Sequence, residues 1–174
     1  GLTLHLLPPA DASASRYFAL EAALGIFRSR LPQCNVRVGR SSAPVDCLAS
    51  LVENGRSHTA TLRRGDGLVL GAITFVPHER DFAEILLLAV RRGLSRRGLG
   101  AVLLGATERW LRARGVRIVA ACAGLDCTRF WQRSGYSSDE VALEPAMWAQ
   151  LGDPSGHSRS LLKRTDSRLS WLAA

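Results

Sequence analysis

Lysine is almost missing from this chain. Of its 174 residues, 23 are Lys or Arg, yet Lys163 is the sole lysine, so arginine carries nearly all the positive charge. With 15 Asp and Glu the formal charge is +8, which suits an anionic partner such as nucleic acid, a phosphate-bearing cofactor or an acidic surface. Long hydrophobic runs are lacking too: nothing approaches the ~18 uncharged apolar residues of a membrane span. Four cysteines are few for a disulfide scaffold and point to a reducing compartment. Cys122 and Cys127 have no histidine near them in sequence, so they read as small core or loop residues rather than metal ligands. No repeat or low-complexity tract is present. The opening Gly1-Leu2-Thr3-Leu4-His5 has neither an initiator Met nor the charged segment of a signal peptide, and we read the chain as one domain over 1–174 excised from a longer protein. A hydrophobic content of 47% excludes a disordered basic tail and allows one sizeable core.

Patterning supplies the elements. Leu2–Leu7 reads as a strand stopped by Pro8-Pro9, and 15–31 as a helix with apolar residues at Phe18, Ala22, Leu24 and Phe27, ended by Pro32. The polar stretch 35–46 reads as a loop, and Cys47–Glu53 as a short helix. Residues 59–64 and 68–76 flank Gly65-Asp66-Gly67 as an antiparallel hairpin. Phe82–Val90 is apolar except for Glu84, which predicts a strand covered on both faces. In 98–114 a helix is predicted, with Leu99, Val102, Leu103, Ala106, Trp110 and Leu111 on its inner stripe, Glu108, Arg109 and Arg112 off it, and Gly115 as C-cap. A strand at 116–121, a short helix at 127–134 capped by Gly135, an extended segment from Tyr136, a turn or short helix at 145–150 and a closing strand at 158–163 complete a mixed α/β domain.

The most informative segment is Val90-Arg91-Arg92-Gly93-Leu94-Ser95-Arg96-Arg97-Gly98-Leu99-Gly100-Ala101. A strand ends, a loop with four arginines follows, and a helix opens on two glycines. Free backbone N–H groups and the positive end of a helix suit a pyrophosphate. The same residues would also serve a plain surface turn with solvated arginines. There is no Gly-Lys-Ser/Thr for a P-loop, and the full dinucleotide spacing of glycines is absent.

Ser95-Arg96-Arg97-Gly98-Leu99-Gly100 resembles the acyl-coenzyme-A loop of the GNAT superfamily of N-acetyltransferases, Gln/Arg-x-x-Gly-x-Gly/Ala, with Ser95 departing from its first position. Leu70-Gly71-Ala72-Ile73-Thr74-Phe75 and Asp81-Phe82-Ala83-Glu84-Ile85 resemble consecutive strands of the PCAF-type histone acetyltransferases. Ile26-Phe27-Arg28-Ser29-Arg30-Leu31-Pro32 and Phe130-Trp131-Gln132-Arg133-Ser134-Gly135-Tyr136 resemble that branch's Ile-Phe-x-x-Gln-Leu-Pro and Tyr-Phe-Lys-Lys-Gln-Gly-Phe.

The resemblance implies a GNAT fold, with a mixed, mostly antiparallel sheet flanked by helices, and acetyl-coenzyme A as cosubstrate. Glu84 falls on the branch's catalytic glutamate. A lysine amine titrates near ~10.4, so a base must remove a proton before attack on the thioester, and an apolar strand improves a carboxylate for that task. Leu88, Ala89 and Val90 would flank the pantetheine arm, with a main-chain N–H, at Leu88, steadying the thioester oxygen. Ser95, Arg96, Arg97, Gly98, Leu99, Gly100 and Ala101 would hold the pyrophosphate, and any arginine of the loop could take the 3′-phosphate. Asp126 stands where the branch has a cofactor-contacting tyrosine and could instead cap the short helix. Near Phe130, where many GNATs place a tyrosine acid, there is none. The implied setting is a nuclear chromatin complex, with a histone tail or another lysine-bearing protein as substrate, a possible nucleosomal DNA contact, and no membrane. A GNAT for small amines or protein N-termini, and a degenerate GNAT used as a chromatin-binding module, are the other readings. Lys163 is the only lysine such an enzyme could acetylate on itself.

Overall fold

The computed structural model describes residues 1–32, 35–36, 45–78, 81–137 and 158–165. In chain order the elements are β1 (Leu2–Leu7), α1 (Ala14–Arg30), β2 (Asn35–Val36), β3 (Val45–Asp46), α2 (Cys47–Glu53), β4 (His58–Arg64), β5 (Val69–Pro77), β6 (Phe82–Val90), α3 (Leu99–Arg112), β7 (Ile118–Gly124), a 3₁₀ turn (Leu125–Cys127), α4 (Thr128–Arg133) and β8 (Ser158–Arg164). Six strands are hydrogen-bonded in the order β1-β4-β5-β6-β7-β8, with β2 and β3 as a separate pair. β6 and β7 run parallel, whereas β1–β4, β4–β5 and β7–β8 are antiparallel. The mixed α/β expectation is met. The chain divides into two compact units, residues 1–76 with 86–107, and residues 77–85 with 108–174.

In the first unit α1 starts where the Ser13 hydroxyl accepts from the Arg16 N–H at 3.1 Å, satisfying one of the orphan donors of a helix start. It stops at Pro32, which cannot continue it. Its inner face is Ala19, Leu20, Ala23, Leu24, Ile26 and Phe27, packed with Leu7, Leu48, Val52, Ala72, Leu87 and Ala89. Phe18, placed inside by periodicity, is 71% exposed and meets Tyr17 edge-on. A stripe read at the 18-22 spacing is one residue out of phase with the face that packing selects. Asp46 caps α2 by accepting from the Leu48 and Ala49 N–H groups, and it also pairs with Arg28 at 2.9 Å. Asn35–Val36 and Val45–Asp46 pair antiparallel, so the ends of the expected loop are stapled; 37–44 lie outside the described residues.

The second unit is built on β7, which pairs with the start of β6 on one side and β8 on the other. Phe82, Ala120 and Leu162 form a small core between these strands. The inner face of α3 also differs from the expected stripe: Val102 is exposed, while Glu108 is buried. Gly115 closes α3 at φ 85, with the Val116 N–H reaching the Leu111 carbonyl at 3.2 Å, as a Schellman end requires. Val116 and Arg117 belong to this turn, so β7 starts later than predicted. Gly135 repeats the device after α4. The segment 145–150, and the extended run beyond Ser137, lie outside the described residues.

Candidate active site

Strand β6 changes character along its length. Its first four residues are all buried, and beyond them Leu87 and Ala89 are buried while Leu86, Leu88 and Val90 are only half-buried. Two covered faces were expected throughout; in the second half one face is partly open. Leu88 and Val90 lie on that face, as a strand that flanks a ligand needs, and the Ala89 side chain points into the core. Gly71 on β5 lets this end pack closely. A Cβ there would stand 2.8 Å from Leu103 Cδ1, 3.0 Å from the Ala89 carbonyl oxygen and 3.1 Å from Val90 Cγ1.

After Val90 the chain turns sharply. The Leu94 N–H donates to the Arg91 carbonyl at 3.0 Å, with Gly93 at φ 83 in the left-handed position of a type II turn. Arg91 is tied back to β5: its N–H donates to the Leu70 carbonyl and its Nε to the Val69 carbonyl at 3.0 Å. Arg92, Arg96 and Arg97 are exposed. Arg96 at φ 63 and Gly98 at φ 76 enter the left-handed region within three residues, a backbone form that turns successive N–H groups toward one anion. Arg96 adopts it without being glycine, a local cost of about 1 kcal/mol or more. At Gly98 a Cβ would meet nothing within 4 Å, so open space lies beside the loop. α3 then begins at Leu99, leaving the first N–H groups of the helix without intrahelical partners.

Ser95, which departs from the family pattern, does not leave its place empty of positive charge. Arg30, at the end of α1, donates from Nη2 to the Ser95 hydroxyl at 3.1 Å. Sequence reading missed this residue because the two positions are 65 apart in the chain; the only signal was its place in the Ile-Phe…Leu-Pro segment.

Glu84 belongs to the second unit. It is 4% exposed, opposite Ala120 in the parallel ladder with β7. Its Oε2 lies 3.5 Å from Nε2 of His78, which is also buried. The His78 ring stacks on Phe82 with centroids 5.3 Å apart. The sequence alone does not pair the Glu84 and His78 side chains.

The same unit holds a buried polar cluster. The Lys163 ammonium donates to both Glu108 oxygens, at 3.1 and 2.9 Å, and to the Ser134 carbonyl at 2.8 Å. The Tyr136 hydroxyl donates to Glu108 Oε1 at 2.9 Å. Burial, then the neighbouring Glu108 charge, pushes the Tyr136 phenol well above its ordinary pKa. Lys163, open to self-acetylation on sequence grounds, is thus enclosed and engaged, and the Tyr136 hydroxyl is committed to Glu108. Asp126 does not cap α4: the cap position is Cys127, with no side-chain capping bond.

The profile of the acetyltransferase (GNAT) family matches residues 24–136, from within α1 to the end of α4 and Tyr136. The chain belongs to the GNAT acetyltransferase family. No curated protein matches it in sequence. Among solved structures, Tetrahymena GCN5 superposes with a TM-score of 0.80 at 16% identity, covering 97% of this chain and 99% of that one. The Tetrahymena GCN5 histone acetyltransferase catalytic domain in complex with coenzyme A gives 0.71 at 17% identity, over 97% and 95%. An acetyltransferase of the GNAT family from Staphylococcus aureus gives 0.63 at 12% identity, over 94% and 99%. At such identities these likenesses establish the fold.

As a GNAT the chain is an acetyl-coenzyme-A-dependent acetyltransferase. Its own residues fit that cosubstrate. The left-handed turn at Arg96–Gly98, the open space beside Gly98 and the exposed arginines suit a diphosphate, and the half-open face at the end of β6 suits an extended arm.

Proposed function

We propose that this GNAT is a protein lysine N-acetyltransferase acting on a histone tail, with Glu84 as general base. The observation that carries the reading is a buried carboxylate, Glu84, on the strand that runs on into the glycine-arginine loop. Acetyl-coenzyme A supplies the thioester. Glu84 takes the proton that a lysine ammonium must lose before its nitrogen can attack. The backbone of Leu88–Val90 holds the extended arm, and a main-chain N–H there, at Leu88, donates to the thioester oxygen as charge develops on it. The N–H groups from Arg96 to Ala101 cradle the pyrophosphate, Arg92, Arg96 and Arg97 supply its counter-charge, and Arg30, held at Ser95, takes the place of the family's first loop residue. The order of PCAF-like segments supports a histone substrate over a small amine. The same reading puts the protein in the nucleus, as part of a chromatin complex, with spare arginines free to touch nucleosomal DNA. The arginine- and alanine-rich composition also loosely fits the GNAT-bearing acetyltransferase of the kinetoplastid kinetochore.

The test is acetylation of core histones, and of a panel of small amines, by the wild-type chain and by Glu84→Gln. The expected result is histone modification by the wild type and a loss of about 100-fold or more in the variant. Equal rates would remove Glu84 from the reaction, and turnover confined to small amines would remove the histone.

A further inference from the structure

The loop between β6 and α3 concentrates positive charge and has no acid of its own. No Asp or Glu stands between Glu84 and Glu108, and among the described residues Arg92, Arg96 and Arg97 are in no ion pair. One hydroxyl sits in the middle of this charge. Ser95 is exposed, with Arg91 and Arg92 four and three residues before it and Arg96 and Arg97 directly after. The space around it is open on both sides, since a Cβ at Gly93 or at Gly98 would meet nothing within 4 Å. A fifth arginine arrives from another element: Arg30, in the last turn of α1, donates from Nη2 to the Ser95 hydroxyl at 3.1 Å. Its neighbour in that turn, Arg28, is held by Asp46, whereas Arg30 pairs with no carboxylate among the described residues. A planar guanidinium suited to gripping an anion by two parallel bonds is therefore aimed at a neutral hydroxyl. All of these residues belong to the first unit.

We infer that Ser95 is a phosphorylation site for a protein kinase that selects arginine-flanked serines, and that its phosphate shuts the coenzyme loop. Arginines three and four residues upstream complement an acidic substrate cleft, the kind of charge pattern by which kinases choose among serines. In the transfer, Ser95 Oγ attacks the γ-phosphorus of a nucleoside triphosphate. The bond from that phosphorus to the bridging oxygen breaks, the nucleoside diphosphate leaves, and the hydroxyl proton passes to the kinase's catalytic base. The product carries a charge of about −1.5 to −2 near neutral pH and three acceptor oxygens. Arg30 already reaches this position, so a neutral contact becomes a charge-assisted one. The next residue, Arg96, begins the left-handed turn that suits a diphosphate. A phosphate fixed at Ser95 draws the loop's arginines to itself and repels the diphosphate of the cosubstrate.

The shutting rests on the loop holding the pyrophosphate, as proposed above, and the experiment separates the two. The folded chain is incubated with ATP, magnesium and the catalytic subunit of cAMP-dependent protein kinase, and the phosphate is located by peptide mapping. Ser95 should be labelled, and a chain unlabelled there, or labelled only elsewhere, would overturn the site. Calorimetry with acetyl-coenzyme A then compares the unmodified chain, the phosphorylated chain and the same sample after phosphatase treatment. Phosphorylation should weaken binding by about 10-fold or more, as like charges brought together do, and the phosphatase should restore it. Arg96→Gln and Arg97→Gln serve as the reference for the loop. If they weaken binding while phosphorylation at Ser95 does not, the inference fails and the loop assignment stands. If neither they nor the phosphate changes the affinity, the loop does not hold the pyrophosphate and both fail. Phosphorus NMR tests the part given to Arg30. A neighbouring guanidinium favours the dianion, so the second phosphate pKa, ordinarily about 6, should be lower in the wild type than in Arg30→Gln by about half a unit or more. Equal values would refute the contact.

Discussion

Replacing Lys163 by methionine tests the buried cluster of the second unit most directly. The lysine and Glu108 side chains are 10% and 5% exposed, and the ammonium holds three acceptor contacts. Methionine keeps the volume of the stem and removes the charge, leaving the Glu108 carboxylate with the Tyr136 hydroxyl. Removing one partner of a buried pair costs about 3–5 kcal/mol, since the survivor is a desolvated charge. Urea unfolding followed by tryptophan fluorescence is a suitable assay, because Trp131 is buried in α4 with its ring 5.0 Å from that of Tyr136. With a urea slope of about 2 kcal/mol per molar, the midpoint should fall by roughly 2 M. The companion is the triple variant Lys163→Met, Glu108→Met, Tyr136→Phe. It removes the three facing side-chain polar ends, leaving the Ser134 carbonyl without its donor, and should return to within about 1–2 kcal/mol of wild type. A loss below about 1 kcal/mol for Lys163→Met alone would mean that the pair behaves as a solvated surface contact, and the reasoning would fail. A triple variant no more stable than the single one would fail it equally.

Gly71→Ala should destabilise the chain by about 1–3 kcal/mol through overpacking against the Ala89 carbonyl and Val90. It should also weaken coenzyme A binding by calorimetry, because the end of β6 has to give; unchanged melting and affinity would show that the strand end has slack. Tyr136 provides a test against pH. Its folded-state pKa is raised by burial and by the Glu108 charge, so the folded state holds the phenolic proton more tightly than the unfolded one. The stability this confers is complete below the ordinary tyrosine value of about 10 and is lost as pH rises from there toward the folded-state value. Tyr136→Phe should therefore flatten the alkaline slope of stability, and an unchanged slope would mean that another group sets it.

Much of the fold was legible because patterning and punctuation agree. β1, α2 and β6 begin and end where apolar runs meet proline, glycine or a change of period. The GNAT loop was legible for a local reason: its glycines and arginines are consecutive, and the backbone conformation they imply is the one found at Gly93 and Gly98. What failed was non-local. Glu108 lies mostly off the apolar stripe, where a charge on a helix is usually solvated; its partner is 55 residues downstream, on another element. Phe18 falls on the apolar periodicity of α1, which has enough smaller apolar residues one step out of phase to fill the interface. His78 beside Glu84 and Arg30 beside Ser95 are spatial neighbours that a linear reading does not pair. Local chemistry can be read from a string, whereas pairing of buried polar groups is decided by topology.

The separation between Glu108 and Lys163 also orders events during synthesis. Translation at about 5–20 residues per second puts roughly 3–11 s between the two residues. Throughout that interval the second half of α3 carries a carboxylate that has no ammonium to meet and must stay hydrated. The buried pair of the second unit therefore cannot close until β8 has left the ribosome, and its timing is set by that later strand rather than by the helix that comes first.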